Sequence, residues 1–246
     1  MYNLQTQINN YLEYCQNQKR LDSKTLKAYR IDLKQFHQDV PSLEPNQITP
    51  EILENYISHL HQAYKPKTVK RKIASIKAFF RYLEYKEIIV KNPFNRIQIK
   101  FREPAILPKT IPLQIVETFL STIYTQQSNA PTAYQKRNAL RDAAVIELLF
   151  ATGIRITELC SLKEFDINLY EKTVLIYGKG AKERKLQIGS EDVVTILQEY
   201  KNSFMSEIQT CQHFFVNQSG RPLSDQAVRR MINKYSSLAA IELHIT

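Results

Sequence analysis

The chain has 246 residues, enough for one large or two ordinary domains, and its 43% hydrophobic and 24% charged content suits a folded globular protein. No run approaches the roughly 18 to 20 consecutive apolar residues of a membrane span, the opening MYNLQTQINNYLEY lacks the pattern of a secretory signal, and three scattered cysteines (Cys15, Cys160, Cys211) without a CxxC pair argue against a disulfide framework or a zinc site. The formal net charge of +10 is uneven, with 17 Lys and Arg against 9 Asp and Glu in residues 1–100 but 17 against 15 in residues 101–246, so the first part is expected to bind a polyanion, nucleic acid before an anionic membrane surface.

Four helices are expected in the first hundred residues. The first runs from about Leu4 to Gln18, and the second from Ser23, taken as its N-cap, to about Asp39. Pro41 and Pro45 break the chain. Thr49 as N-cap and Pro50 at the first helical position start the third, which continues to about Tyr64. The fourth, about Pro66 to Tyr85, has the clearest amphipathic pattern: Val69, Ile73, Ile76, Phe80 and Leu83 form one apolar stripe. At 100° per residue, Lys67, Lys70, Arg71, Lys77 and Arg81 fall on the opposite face. From Lys65 to Arg81 there are seven basic residues and no acidic one. A merely solvated face normally mixes both signs, so this one is expected to meet phosphates. It lacks the wide apolar edge of a membrane-surface helix.

Residues 97–112 are expected to be a linker, punctuated by Pro104, Pro108 and Pro112. Beyond it, helices are expected at about Leu113–Tyr124 and Lys136–Ala151, separated by the polar stretch QQSNAPTAYQ. Short strands follow at Asp166–Leu169, Thr173–Tyr177 and Lys185–Ile188, the last two joined by a GKGAKE turn. A helix over Ser190–Ser206, a strand over His213–Val216 and a helix capped by Ser224 and reaching Ala239 complete the expected elements. The fold class expected is mainly α with a small antiparallel sheet (α+β), arranged as a helical DNA-binding domain (1–96), the linker and a second domain (113–246).

The chemistry concentrates in LLFATGIRITEL, residues 148–159. Arg155 follows the Thr152–Gly153 break, where glycine lets the backbone turn, and could offer a planar fork to two phosphate oxygens. Taken alone, it fits equally well as the partner of a helix carboxylate such as Glu158. Lys179 sits in the glycine-flanked Gly178-Lys179-Gly180 turn. GxxxxGK[ST], HExxH, GxSxG and paired-Asp metal signatures do not occur.

Together these motifs resemble the tyrosine recombinase (phage integrase) family, above all its Xer-like and mobile-element members. The resemblance rests on RDAAVIELLFATGIRITELCSL at 141–162, FDI at 165–167 and GKGAKERKLQIG at 178–189. In the first half, SKTLKAYRIDLKQF and KPKTVKRKIASIKAFFRYL resemble the family's core-binding domain, and KNPF and LPKTI its junction. The resemblance implies a four-helix, SAM-like core-binding domain followed by the recombinase catalytic domain. Its activity would be site-specific DNA cleavage and rejoining through a 3′-phosphotyrosyl intermediate, with neither ATP nor any metal or other cofactor.

Residue by residue, the resemblance makes Arg155 the first catalytic arginine, Lys179 the general acid for the leaving 5′-oxygen and Glu158 a support for local structure. It places two helices in the major groove, with Lys24, Thr25, Lys27 and Arg30 on one and Thr68, Lys70, Arg71 and Lys77 on the other. Most would touch phosphates, and one or two would read bases. In the second domain Lys182, Arg184, Arg229, Arg230 and Lys234 are further candidates for DNA contact, for which solvated surface charge fits as well.

The family's next box, His-x-x-Arg-His, has no counterpart, because the final helix is followed by AIELHIT. His244 lacks the rest of that box. Tyr235 is the last of 14 tyrosines, and Tyr170 and Tyr177 read as ordinary core or surface aromatics rather than nucleophiles. The expectation is therefore a truncated catalytic domain without the second arginine or the tyrosine nucleophile. Such a chain binds duplex DNA at recombination sites in the cytoplasm, away from membranes, but is catalytically incomplete. A monomer is expected for it, and a tetramer on paired sites for its full-length parent. The competing reading is a non-enzymatic DNA-binding protein that occupies or regulates recombination sites.

Overall fold

Three of the first four helices start at a side-chain cap, and the fourth starts at Pro66. In the computed structural model, which describes residues 3–99, 110–178 and 182–242, they are α1 (Leu4–Asn17), α2 (Ser23–Asp39), α3 (Pro50–Ala63) and α4 (Pro66–Tyr85). The Asn3 side chain accepts from Gln5 N at 2.8 Å, and Thr49 Oγ1 from Ile52 N at 3.3 Å. For α2 the cap is Asp22 rather than the expected Ser23. Asp22 Oδ1 accepts from Thr25 N at 2.9 Å and Oδ2 from the Thr25 hydroxyl at 2.6 Å, a double grip that a serine cannot provide.

The apolar stripe of α4 is buried in full: Val69, Ile73, Ile76, Phe80 and Leu83 pack with Tyr11, Leu33, Phe36 and Leu60 into one core. Phe80 meets Phe36 and Phe79 edge-on, with ring centroids 6.0 and 5.7 Å apart. Each such side chain contributes roughly 1.5–3 kcal/mol by burial, so α4 is the element around which this unit forms.

The chain divides into two units, Met1–Leu107 and Pro108–Thr246. The second contains α5 (Leu113–Ser128), α6 (Ala133–Thr152), α7 (Ile156–Ser161), β1 (Ile167–Asn168), β2 (Thr173–Gly178), β3 (Lys182–Gln187), α8 (Glu191–Ser203), α9 (Met205–Cys211) and α10 (Asp225–Leu238). The strands form one antiparallel sheet in the order β1-β2-β3. The fold is thus mainly helical with a small antiparallel sheet. Among the described residues no helix is long and apolar enough to cross a membrane.

Several boundaries differ from those expected, each for a physical reason. The polar loop shrinks to 129–132, because Thr132 caps α6 by accepting from Gln135 N at 3.2 Å. The pairing of Gly178 with Lys182 carries β3 three residues earlier than periodicity indicated. The helix expected over Ser190–Ser206 ends at Ser203, where the buried Phe204 leaves helical geometry (φ −116°) and packs 4.8 Å from the Tyr200 ring; α9 follows. The strand expected at His213–Val216 is reduced to one bridge, Val216 with Pro222. Phe214, Phe215 and Val216 are all buried, so the run fills the core instead of alternating, and a proline has no N–H with which to extend a ladder. The Tyr200 hydroxyl secures this segment by donating to Phe214 O and accepting from Val216 N, both at 3.0 Å.

Candidate functional site

Arg155 owes its position to the end of α6. Gly153 is left-handed (φ 62°, ψ 20°) and its N–H returns to Leu149 O at 2.9 Å, closing the helix. Ile154 turns into the core, and Arg155 (φ −72°, ψ 146°) becomes the N-cap of α7. From this corner the Arg155 side chain remains 72% exposed.

Beneath it lies Glu158, only 6% exposed. Its Oε2 accepts from Arg155 N at 2.9 Å, the back-bond of a capping box, and its Oε1 accepts from Arg155 Nη1 at 3.0 Å. Arg184, opposite Ile176 in the β2–β3 ladder, adds a fork, Nη2 to Oε2 at 2.7 Å and Nη1 to Oε1 at 3.2 Å. Burial alone would raise the Glu158 carboxyl. The Arg184 side chain, the Arg155 backbone N–H and the Arg155 side chain outweigh it and lower the pKa from 4.5 to about 2. One buried anion therefore joins the α6–α7 corner to the hairpin strand.

Lys179 lies outside the described residues, in the three-residue connection between Gly178 and Lys182. Arg184 is a partner of Glu158 as much as a surface cation. Arg155 also has the helix-carboxylate partner that the sequence left open, with most of its side chain still exposed. Arg229, on α10, borders the same cavity as Gly153 and Arg155, a space of about 540 Å³ walled largely by Phe119, Leu149, Phe150 and Ile232. Arg230 and Lys234 are exposed on α10. For Lys182 only the strand position is described.

In the first unit, Lys24, Lys27 and Arg30 are exposed on α2, and Lys70 and Lys77 on α4, whereas Thr68 is half-buried. Thr25 is committed to Asp22 through both its N–H and its hydroxyl. Arg71 is exposed yet paired, its Nη1 donating to Asp32 Oδ2. Asp32 and Lys72 are buried partners that sequence reasoning missed. The available signal was the position of Asp32 on the buried side of α2 beside Leu33 and Phe36.

Residues 120–246 match the phage integrase family, and residues 8–87 match the phage integrase N-terminal SAM-like domain. A tyrosine recombinase of Agathobacter rectalis is 67% identical over 246 residues, covering 100% of this chain and 80% of that protein. A crystal structure of a lambda integrase tetramer bound to a Holliday junction has a similar fold, with a TM-score of 0.74 at 15% identity over 100% of this chain and 69% of that one. So does the XerH site-specific recombinase bound to palindromic difH substrate in a post-cleavage complex, at 0.74 and 19% over 98% of this chain and 69% of that one.

Proposed function

The chain belongs to the phage integrase family, and from that membership we propose that it serves site-specific DNA recombination, in which strands are cut and rejoined through a 3′-phosphotyrosyl bond; this chain supplies DNA binding and the Arg155 phosphate contact, and no tyrosine in it is assigned as the nucleophile. The observation that carries the reading is the Arg155–Glu158–Arg184 cluster. A guanidinium held from below by a buried carboxylate and open above is a pre-oriented donor for the non-bridging oxygens of a phosphodiester. Such donors act where charge accumulates in the pentavalent transition state, and they need no reorganisation as the reaction proceeds.

In this reading Arg155 stabilises that charge, Lys179 protonates the leaving 5′-oxygen and Glu158 holds the arginine in place. Proton donation by a positioned group typically contributes about 10²–10⁴ in rate. The phosphotyrosyl ester retains the energy of the broken phosphodiester, so resealing needs no added energy source. The basic faces of α2 and α4 bind the duplex, with Lys24, Lys27, Arg30, Lys70 and Lys77 set against phosphates, and Lys182, Arg229 and Arg230 adding contacts from the second unit. The protein works in the cytoplasm, and the tetramer on paired sites is the assembly expected of a full-length recombinase rather than of this chain alone.

The test is duplex binding across a salt series. Six to ten phosphate contacts would weaken binding by about 10³–10⁵ between 50 and 200 mM salt. Arg155→Ala should reduce the log–log slope by about one. Salt-independent binding overturns the DNA-clamp reading, and an unchanged slope in the variant removes Arg155 from the phosphate site.

A further inference from the structure

Asp32 is fully buried between α2 and α4, and three donors from α4 converge on it. Arg71 Nη1 donates to Oδ2, Lys72 Nζ to Oδ1 at 3.2 Å, and Ser75 Oγ to Oδ2 at 2.7 Å. Lys72 is itself only 2% exposed. Its ammonium also donates to Gln35 Oε1 on α2 and lies 4.8 Å from the centre of the Tyr64 ring. Every direction around this lysine is taken up by the fold, so it cannot reach a ligand.

Arg71 differs. Its side chain is 45% exposed while its Nη1 is held by a fully buried carboxylate. Lys72 offsets the charge of Asp32 from the buried side, so the cluster carries a net positive charge and Arg71 is its only outward-facing member. On this helix the exposed Lys67 and Lys77 can supply phosphate contacts, which leaves the braced arginine available for another acceptor. A fixed planar fork is suited to two acceptors lying in one plane. In the major groove those are O6 and N7 of guanine.

We propose that Arg71, oriented by Asp32, reads a guanine in the major groove of the DNA site, and that Asp32 is its positioning residue. This rests on the proposed binding of duplex DNA by α2 and α4. The basic face then has two kinds of cation: flexible lysines that supply affinity, and one braced arginine that supplies sequence choice. The buried Lys72 leaves Arg71 the charge with which to do so.

The experiment is selection from a pool of duplexes with a randomised core, using the 246-residue chain, Arg71→Lys, and Asp32→Asn combined with Lys72→Met. The double variant removes both buried charges together, so that neither is left unpaired in the core. Arg71→Lys leaves the Asp32–Lys72–Ser75 contacts standing and keeps the proposal testable if the double variant does not fold. The unaltered chain should enrich a guanine at one position by about ten- to hundredfold over other bases. Arg71→Lys should bring that position close to parity and leave enrichment elsewhere in place. The double variant should relax the same position although its arginine is retained.

A uniform fall in binding to all sequences in Arg71→Lys, with the guanine still enriched, overturns the proposal and makes Arg71 a phosphate contact. A guanine lost in Arg71→Lys but kept in the double variant overturns the role of Asp32. Failure of the unaltered chain to bind any duplex is a separate outcome, and it overturns the DNA-binding reading itself.

Discussion

Replacing Glu158 by glutamine should destabilise the second unit in a way that depends on pH. The carboxylate receives four hydrogen bonds from Arg155 and Arg184, and glutamine keeps one acceptor oxygen while turning an amide N–H₂ toward guanidinium donors. A fall from 4.5 to about 2 corresponds to at most about 3 kcal/mol of stability at neutral pH. Because the side chains of Arg155 and Arg184 are 72% and 39% exposed, solvent screening reduces this to about 1–2 kcal/mol. The folded-state value lies below the unfolded one, so this contribution is complete above about pH 4.5 and is lost as the pH falls through the folded value, with roughly half gone near pH 3. Urea unfolding of the chain and of Glu158→Gln at pH 7, and again between pH 4 and pH 3, measures it. The difference should appear in the transition of residues 108–246 and shrink on acidification, with the transition of residues 1–107 as internal control. Equal stabilities at neutral pH, or a difference that widens as the pH falls, would refute the claim that the ionised carboxylate holds this corner together.

Two further substitutions probe the supports of the same unit. Gly153→Ala meets no atom within 4 Å but places a Cβ on a backbone with φ 62°, so it should cost about 1 kcal/mol in denaturant unfolding; an unchanged midpoint would show that the corner does not need its left-handed residue. Tyr200→Phe deprives Phe214 O and Val216 N of their buried partner and should cost about 2–4 kcal/mol by the same measurement, whereas a loss under about 1 kcal/mol would mean that the segment does not depend on the hydroxyl.

Helices with caps and a one-sided apolar stripe were legible because their determinants are local. Thr49-Pro50 and the α4 stripe need only a few neighbouring residues to be recognised, and both appear where expected. Arg155 and Glu158 were legible for the same reason, being one helical turn apart. The Arg184–Glu158 fork was not, because it depends on strand register. Periodicity began β3 at Lys185, which left Arg184 between the turn and the strand, whereas pairing places it opposite Ile176 and over the carboxylate. Lys72 was hidden differently. Its place three residues after Val69 and four before Ile76 sets it beside the apolar stripe, but only the packing of α2 against α4 supplies the buried carboxylate that receives it.

The two clusters share a design. Asp32 and Glu158 are each buried, each binds two cations, and in each case one of those cations, Arg71 or Arg155, remains exposed. Stability does not account for them well, because a buried ion pair is often matched or exceeded, by roughly 1–4 kcal/mol, by apolar residues of the same volume. What an apolar replacement cannot do is aim an exposed guanidinium. An arginine on a free stem has several rotatable bonds to freeze on binding, at about 0.5–1.5 kcal/mol for such a side chain, and a carboxylate anchored in the core meets part of that cost during folding. The second cation then decides how much charge the exposed arginine keeps. Lys72 is sealed in the core, so Arg71 faces outward from a cluster that is net positive. Arg184 is partly exposed on the strand and binds the carboxylate from the hairpin side, so Arg155 keeps its charge while its position becomes tied to the hairpin. A change that shifts β3 should therefore disturb Arg155 without touching it, whereas Arg71 answers only to the packing of α2 on α4.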